Sequence, residues 1–185
     1  VTSPIMLITA LCIKLYDGGP VFYTQDRLTR DGKVFKVYKF RSMKTDAEKD
    51  GVARLAGEHD DRITPVGRVI RKVRIDELPQ LLNILKGDMS IVGPRPERPE
   101  LASENEKIMP EFRYRLKVKA GLTGYAQVLG KYNTTPYDKL RLDLMYIEQY
   151  SLLLDIKLIL MTIKILFIPE STEGVKDDNS SGTAL

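Results

Sequence analysis

Three prolines in seven residues, Gly93-Pro94-Arg95-Pro96-Glu97-Arg98-Pro99, constrain this 185-residue chain more than any other stretch. Each proline fixes φ at about −65°, lacks an N–H, and pushes the residue before it out of helical geometry. No helix runs through such a segment, so it must be an ordered loop or an extended stretch. Arg95 lies between two of the prolines. A guanidinium on so stiff a support loses less entropy when it grips an anion such as phosphate. An exposed turn arginine is the plain alternative.

The elements around this loop follow from periodicity. Near the N-terminus, Ile5-Met6-Leu7-Ile8-Thr9-Ala10-Leu11-Cys12-Ile13 is apolar but shorter than the roughly 20 residues a spanning helix needs. It has no basic flank of the signal-peptide kind. It reads as the second half of a hydrophobic element, with a buried core helix as the alternative. Asp17-Gly18-Gly19-Pro20 breaks it. Val21–Gln25 and Val34–Phe40 are rich in β-formers around Asp31-Gly32 and predict a hairpin. Lys36, Tyr38 and Phe40 share one face, and Val37, Lys39 and Arg41 the other. Residues 46–56 are charged and predict a short exposed helix or a mobile loop.

Thr64-Pro65 predicts an N-cap with proline at the first helical position, and a helix to about Val73. A second helix is expected from Asp76, with Leu78, Leu81, Leu82 and Leu85 as one apolar stripe and Lys86-Gly87 as its end. Residues 101–116 predict a helix bent or split at Pro110, Gly121–Gly124 a turn, and Pro136 onward a long helical stretch. The latter part of that stretch carries Asp155, Lys157 and Lys164. Each would cost about 2.5–3.5 kcal/mol at a bilayer centre, so a helix at the membrane interface or packed on the domain is expected instead. The tail from Glu170 is polar and predicts disorder.

Composition excludes several chemistries. A single cysteine, Cys12, leaves no internal disulfide and no cysteine zinc site. A single histidine, His59, argues against a histidine-rich metal site and a Ser-His-Asp triad, and its polar surroundings predict an exposed side chain. No Gly-Lys-Ser/Thr phosphate loop and no Asp-X-Asp occurs. The net charge is +4, and residues 27–74 hold fourteen Lys or Arg against seven Asp or Glu. A basic surface of this kind meets nucleic acid, an anionic membrane or phosphorylated substrates, or is simply solvated.

Asp76-Glu77 lies where a helix start would favour an ionised carboxylate, just after Arg68, Arg71, Lys72 and Arg74. On pattern alone an N-cap Asp followed by a first-turn Glu, worth about 1 kcal/mol of helix stability, is the better explanation of the pair. Carboxylate beside guanidinium is usually a structural ion pair. It is also what phosphoryl transfer needs: cations to hold phosphates, and an anionic group to attack or to bind Mg²⁺.

Longer motifs go further. Lys39-Phe40-Arg41-Ser42-Met43, the run Ile75–Ser90 beginning Ile75-Asp76-Glu77-Leu78-Pro79-Gln80-Leu81-Leu82-Asn83, Val92-Gly93-Pro94-Arg95-Pro96-Glu97 and Gly121-Leu122-Thr123-Gly124-Tyr125-Ala126-Gln127-Val128 together resemble the bacterial sugar transferases, the monotopic polyprenyl-phosphate phosphoglycosyl transferases. The resemblance implies an α+β, mainly helical fold: a small β-hairpin plus amphipathic helices on a re-entrant membrane helix. That helix enters and leaves by the cytoplasmic face of the bacterial plasma membrane and breaks at Ser3-Pro4, and its first half is missing here. The implied domains are residues 1–19 for the second half of this helix, 20–168 for the catalytic domain and 169–185 for a tail.

The implied activity moves a sugar-1-phosphate from a UDP-sugar to polyprenyl (undecaprenyl) phosphate, releases UMP, and serves the first membrane step of exopolysaccharide, capsule, O-antigen or glycoprotein glycan assembly. Asp76 is the implied nucleophile, forming an aspartyl phosphosugar. Mg²⁺ is the implied cofactor, with Asp76 and Glu77 as its ligands or Glu77 on the substrate. Lys39, Arg71 and Arg95 are expected on phosphates, with Arg41 a further candidate. The partners implied are the donor, the acceptor and membrane lipid, not nucleic acid; the oligomeric state stays open, a homodimer included. The competing reading is a non-catalytic basic module that binds a membrane or nucleic acid.

Overall fold

The computed structural model describes residues 2–47, 60–130 and 134–166. His59, most of the 46–56 stretch and the tail lie outside them. The first helix, α1 (Ser3–Asp17), has Pro4 in its opening turn and ends on Gly18 in the left-handed conformation. Its two faces differ. Met6, Ala10 and Ile13 pack inward on Phe40 and Ile70, whereas Ile5, Leu7, Ile8, Leu11 and Leu15 are exposed. It is therefore not a buried core helix. No helix among the described residues is long and apolar enough to cross a membrane.

Strands β1 (Phe22–Leu28) and β2 (Val34–Phe40) form the expected antiparallel hairpin, with Phe22 opposite Phe40 and Leu28 opposite Val34. Asp31 and Gly32 take the left-handed conformation at its tip. β2 runs between two cores. Phe35 and Val37 pack on Met89 and Ile84, and Phe40 packs on Ile13 and Ile70. Helix α2 (Pro65–Lys72) starts as its sequence predicts, with Thr64 Oγ1 accepting the Gly67 N–H at 2.9 Å.

The helix expected from Asp76 needs correction. Ile75–Glu77 form a 3₁₀ turn, entered through Arg74 at φ 54°, and α3 (Gln80–Lys86) begins only after Pro79. The leucine stripe does not face a core along its length: Leu78 packs on Ile13, Phe40 and Ile70, but Leu82 is exposed and Leu85 is 84% exposed, while Asn83 is fully buried at 0%. Hydrogen bonding explains the reversal. Among the described residues no further strand pairs with the outer edge of β2, and its N–H and C=O groups need partners. Asn83 supplies both, accepting from the Tyr38 N–H at 2.9 Å and donating to the Lys36 carbonyl at 2.8 Å. Gly87, at φ 83°, closes the helix as expected.

Strand β3 (Ser90–Val92) leads into the proline loop, which is ordered, and then α4 (Pro99–Ile108) and a 3₁₀ segment over Pro110–Lys117, split at Pro110 as expected. The stretch expected as a turn is largely a strand, β4 (Gly121–Thr123), paired parallel to β3 with Ser90 beside Gly121 and Val92 beside Thr123. A Cβ on Gly121 would overlap the Gly93 backbone, so this pair closes only with glycine there. Three residues are too few to carry a strand period, so the sequence gives no signal. α5 (Tyr125–Leu129), α6 (Pro136–Gln149) and α7 (Leu152–Leu166) complete the chain, with the long C-terminal helix broken at Tyr150-Ser151. Leu158 of α7 packs on Val92 and Tyr146, and Leu152, Leu153, Ile156, Leu160 and Ile163 stay exposed. The fold is thus α+β and mainly helical, with two small sheets among the described residues.

Candidate active site

Three elements bring the charged residues together. The 3₁₀ turn carries Asp76 and Glu77, β2 carries Lys39, and the proline loop carries Arg95. The turn is anchored on both sides, because Ile75 and Leu78 pack on the core formed by Ile13, Phe40 and Ile70. Burying these two flanking side chains fixes where the acids between them point.

The two acids face different fields. Glu77 Oε1 accepts from Lys39 Nζ at 2.8 Å and from Arg95 Nη2 at 2.7 Å. Burial pushes the Glu77 pKa up, but Arg95 and Lys39 outweigh it and hold the carboxyl well below its ordinary value. Asp76, 8% exposed, goes the other way. Burial first, and then the Glu77 charge, raise its pKa from 3.8 to about 6, against the pull of Lys39, Arg71 and Arg95. Neighbouring carboxyls pushed apart in this way can take different chemical roles. At pH 7 both are ionised, with Asp76 the more basic and the less compensated of the two.

The expected site residues divide accordingly. Lys39 and Arg95 meet on Glu77, and Arg71 acts electrostatically on Asp76. Arg41 lies elsewhere: its Nη2 pairs with Asp17 at the end of α1, and its Nε and Nη1 are buried without a hydrogen-bond partner. Ser3 and Pro4 form the opening turn of α1, at the opposite end from Asp17. The sequence reading did not single out Asn83, Arg27, Arg115 or Asp143. Asn83 carried no signal, since it falls on the helix face opposite the leucine stripe, where a polar residue is expected. Nothing local in the sequence marks Arg27, Arg115 or Asp143; Arg115 and Asp143 are buried behind the Arg95 loop, and the half-buried Arg27 reaches the same loop at Pro96 and Glu97.

No cluster of three or more His, Cys, Asp or Glu occurs among the described residues. Mg²⁺ does not require one, since it commonly takes one or two carboxylates and completes its shell with water and substrate phosphates. Asp76, and the Glu77 oxygen not engaged by Lys39 and Arg95, are donors of that kind.

The chain also has known relatives. The family profile described as bacterial sugar transferase matches residues 1–169. The chain is 45% identical over 165 residues to UDP-N-acetylgalactosamine-undecaprenyl-phosphate N-acetylgalactosaminephosphotransferase of Aeromonas hydrophila, covering 88% of this chain and 39% of that one. It is 42% identical over 166 residues to UDP-glucose:undecaprenyl-phosphate glucose-1-phosphate transferase of Escherichia coli K12, covering 87% of this chain and 36% of that one. A shorter relative, the uncharacterized sugar transferase EpsL of Bacillus subtilis, is 41% identical over 179 residues, 96% of this chain and 84% of its own length. The chain thus spans less than two fifths of the two longer relatives and most of the short one. On these matches, and with the motifs folded around one acidic pair, the chain belongs to the bacterial sugar transferase family.

Proposed function

We propose that the protein transfers a sugar-1-phosphate from a UDP-sugar to polyprenyl phosphate, releasing UMP, with Asp76 as the nucleophile. The observation that carries this reading is the contrast within the acidic pair: Glu77 is clamped by Lys39 and Arg95, while Asp76 is buried and basic. In the first step an Asp76 carboxylate oxygen attacks the sugar-bearing phosphorus. The P–O–P bond breaks, and UMP leaves with the bridging oxygen. In the second step a phosphate oxygen of the acceptor attacks the same phosphorus and displaces Asp76. The product is a polyprenyl diphosphate sugar, and no proton has to be stored on the enzyme. Covalent catalysis of this kind splits one difficult displacement into two.

Lys39 and Arg95 have a second part in this scheme. Held on Glu77, they stay close to Asp76 without neutralising it, so they can take up charge on the transferred phosphoryl group. Arg71 adds a third cation near Asp76. Mg²⁺, when bound at Asp76 and Glu77, would neutralise diphosphate charge. Arg41, paired with Asp17, is assigned to holding α1 against β2 rather than to phosphate.

The exposed apolar faces of α1 and α7 support association with the cytoplasmic face of the plasma membrane, where a polyprenyl acceptor would be found. α1 is assigned to the membrane as the second half of a re-entrant helix, with Ser3-Pro4 at its break. The relatives are named for N-acetylgalactosamine and glucose donors, so the sugar transferred here is best found with a donor panel. Both carry transferase names, which gives a non-catalytic binding module no support.

The test mixes wild type and Asp76→Asn with UDP-sugars, Mg²⁺ and polyprenyl phosphate. Wild type should release UMP and show a phosphosugar adduct by intact mass; the variant should do neither. Full UMP release by Asp76→Asn would overturn the nucleophile assignment.

A further inference from the structure

The backbone of the proline loop is held at nearly every peptide. The Gly93 N–H donates to the Thr123 carbonyl at 2.8 Å, and the Pro94 carbonyl accepts from the Gly121 N–H at 2.8 Å. The next carbonyl, of Arg95, accepts from Arg115 Nη2 at 3.0 Å. That of Pro96 accepts from Arg27 Nη1 at 3.2 Å, and that of Glu97 from the Leu28 N–H at 2.9 Å. Four consecutive carbonyls therefore each have a donor, and two of those donors are guanidinium groups.

Arg115 is the donor with the most behind it. Its side chain is 4% exposed and that of Asp143, on α6, 1%. Asp143 Oδ2 accepts from Arg115 Nε at 2.9 Å and lies 2.7 Å from Arg115 Nη2, the nitrogen that holds the Arg95 carbonyl. Arg115 Nη1 is 3.5 Å from Glu97 Oε2 in the same loop. A buried pair of this kind is a poor source of stability, because desolvation offsets its attraction. Burial in fact raises the Asp143 pKa in spite of Arg115. What the pair supplies is a fixed fork. A chain of contacts runs from Asp143 through Arg115 to the Arg95 backbone, and from the Arg95 guanidinium to Glu77.

We infer that Arg115 and Asp143 are positioning residues for the reaction, acting through the Arg95 carbonyl to aim the Arg95 guanidinium at the acidic pair. Both side chains are buried behind the loop, and both act through Arg95 rather than on the substrate. Lysine at 115 keeps the charge but cannot make the fork, since an ammonium is a point donor. A displacement of about 1 Å at a positioned group lowers rates by around 10²-fold.

The inference rests on the transferase reading, and its test separates the two. kcat/KM for UMP release is measured for wild type, Arg95→Ala, Arg115→Lys and the double variant, with circular dichroism and Tm as folding controls. Arg115→Lys is expected to lose roughly 10- to 100-fold in the wild-type background and less than about twofold once Arg95 is gone, because its effect passes through that residue. Losses that multiply would overturn the inference while leaving the transferase reading intact. Absence of UMP from wild type would overturn the reading itself. Should Arg115→Lys not fold, Asp143→Asn replaces it in the same cycle, and failure of both to fold would overturn a role confined to the loop.

Discussion

Two charged clusters sit on either side of the Arg95 loop, and their difference separates chemistry from support. In front, Glu77 is bridged by Lys39 and by Arg95, whose side chain is 48% exposed. Behind, Arg115 and Asp143 are almost fully enclosed. The enclosed cluster turns its hydrogen bonds inward onto the backbone. The open one leaves Asp76 raised in pKa and two cations within reach of an incoming anion. A buried ion pair is thus not by itself a sign of an active site. What distinguishes the front cluster is an imbalance that a ligand would relieve.

The same substitution in the two clusters tests that contrast most strongly. Asp76→Asn should lower UMP release by more than about 10³-fold, as loss of a nucleophile does, and yet stabilise the protein. The folded pKa of Asp76 lies at about 6 against an ordinary 3.8, so its ionisation costs stability at pH 7, and that cost disappears as pH falls from about 6 to 4. Removing the charge should therefore raise Tm by several degrees in a thermal melt at pH 7. Asp143→Asn should do the reverse, although burial raises the Asp143 pKa as well. Asp143 bonds directly to Arg115, and its neutralisation leaves a buried guanidinium without its counter-charge, a loss of about 1.5–3 kcal/mol in denaturant unfolding. Equal behaviour of the two variants would erase the distinction.

Next in size is Glu77→Gln, which should cost about 10²-fold in kcat/KM because Lys39 and Arg95 lose their shared anchor. Its pH profile is the sharper readout. Wild-type kcat/KM should fall about tenfold per pH unit below about 6, as Asp76 takes up a proton. Without the Glu77 charge, which helps raise the Asp76 pKa, that acid limb should move to lower pH. A limb that stays in place would dissociate the two acids.

Smaller effects test the scaffold. Asn83→Ala strips two hydrogen bonds from the edge of β2, which carries Lys39, and should cost about 2–4 kcal/mol in urea unfolding. Leu85→Gln should change stability by no more than about 0.5 kcal/mol, because Leu85 is 84% exposed. A large loss there would show that something covers the leucine stripe.

The sequence was legible where local chemistry decides. Thr64-Pro65, Asp31-Gly32, Lys86-Gly87 and the proline loop all formed as read, because caps, left-handed turns and proline act over a few residues. Asp76, Glu77, Lys39 and Arg95 were named from motifs, and the fold brings them together. The failures share a different cause. Asn83 took the interior while Leu82 and Leu85 stayed exposed, because a distant strand edge needed its amide. The β3–β4 pair joins residues about thirty positions apart, and Arg115 and Asp143 acquired their meaning only from burial. The Arg41 pairing with Asp17, likewise, is a contact that no local pattern signals. Long-range hydrogen bonding leaves no period in a single sequence to be read.

The order in which the loop's supports appear along the chain has a consequence for synthesis. A ribosome makes the acidic turn and Arg95 before it makes Arg115, Gly121 and Asp143, which hold that arginine's loop in place. The nascent chain can assemble its N-terminal core around Ile13, Phe40 and Ile70 early, while the cation opposite Glu77 still lacks its backing. The contacts from Asp143 through Arg115 to the Arg95 carbonyl form only when α6 has emerged and docked, so the loop gains its full set of supports late in the chain's own translation.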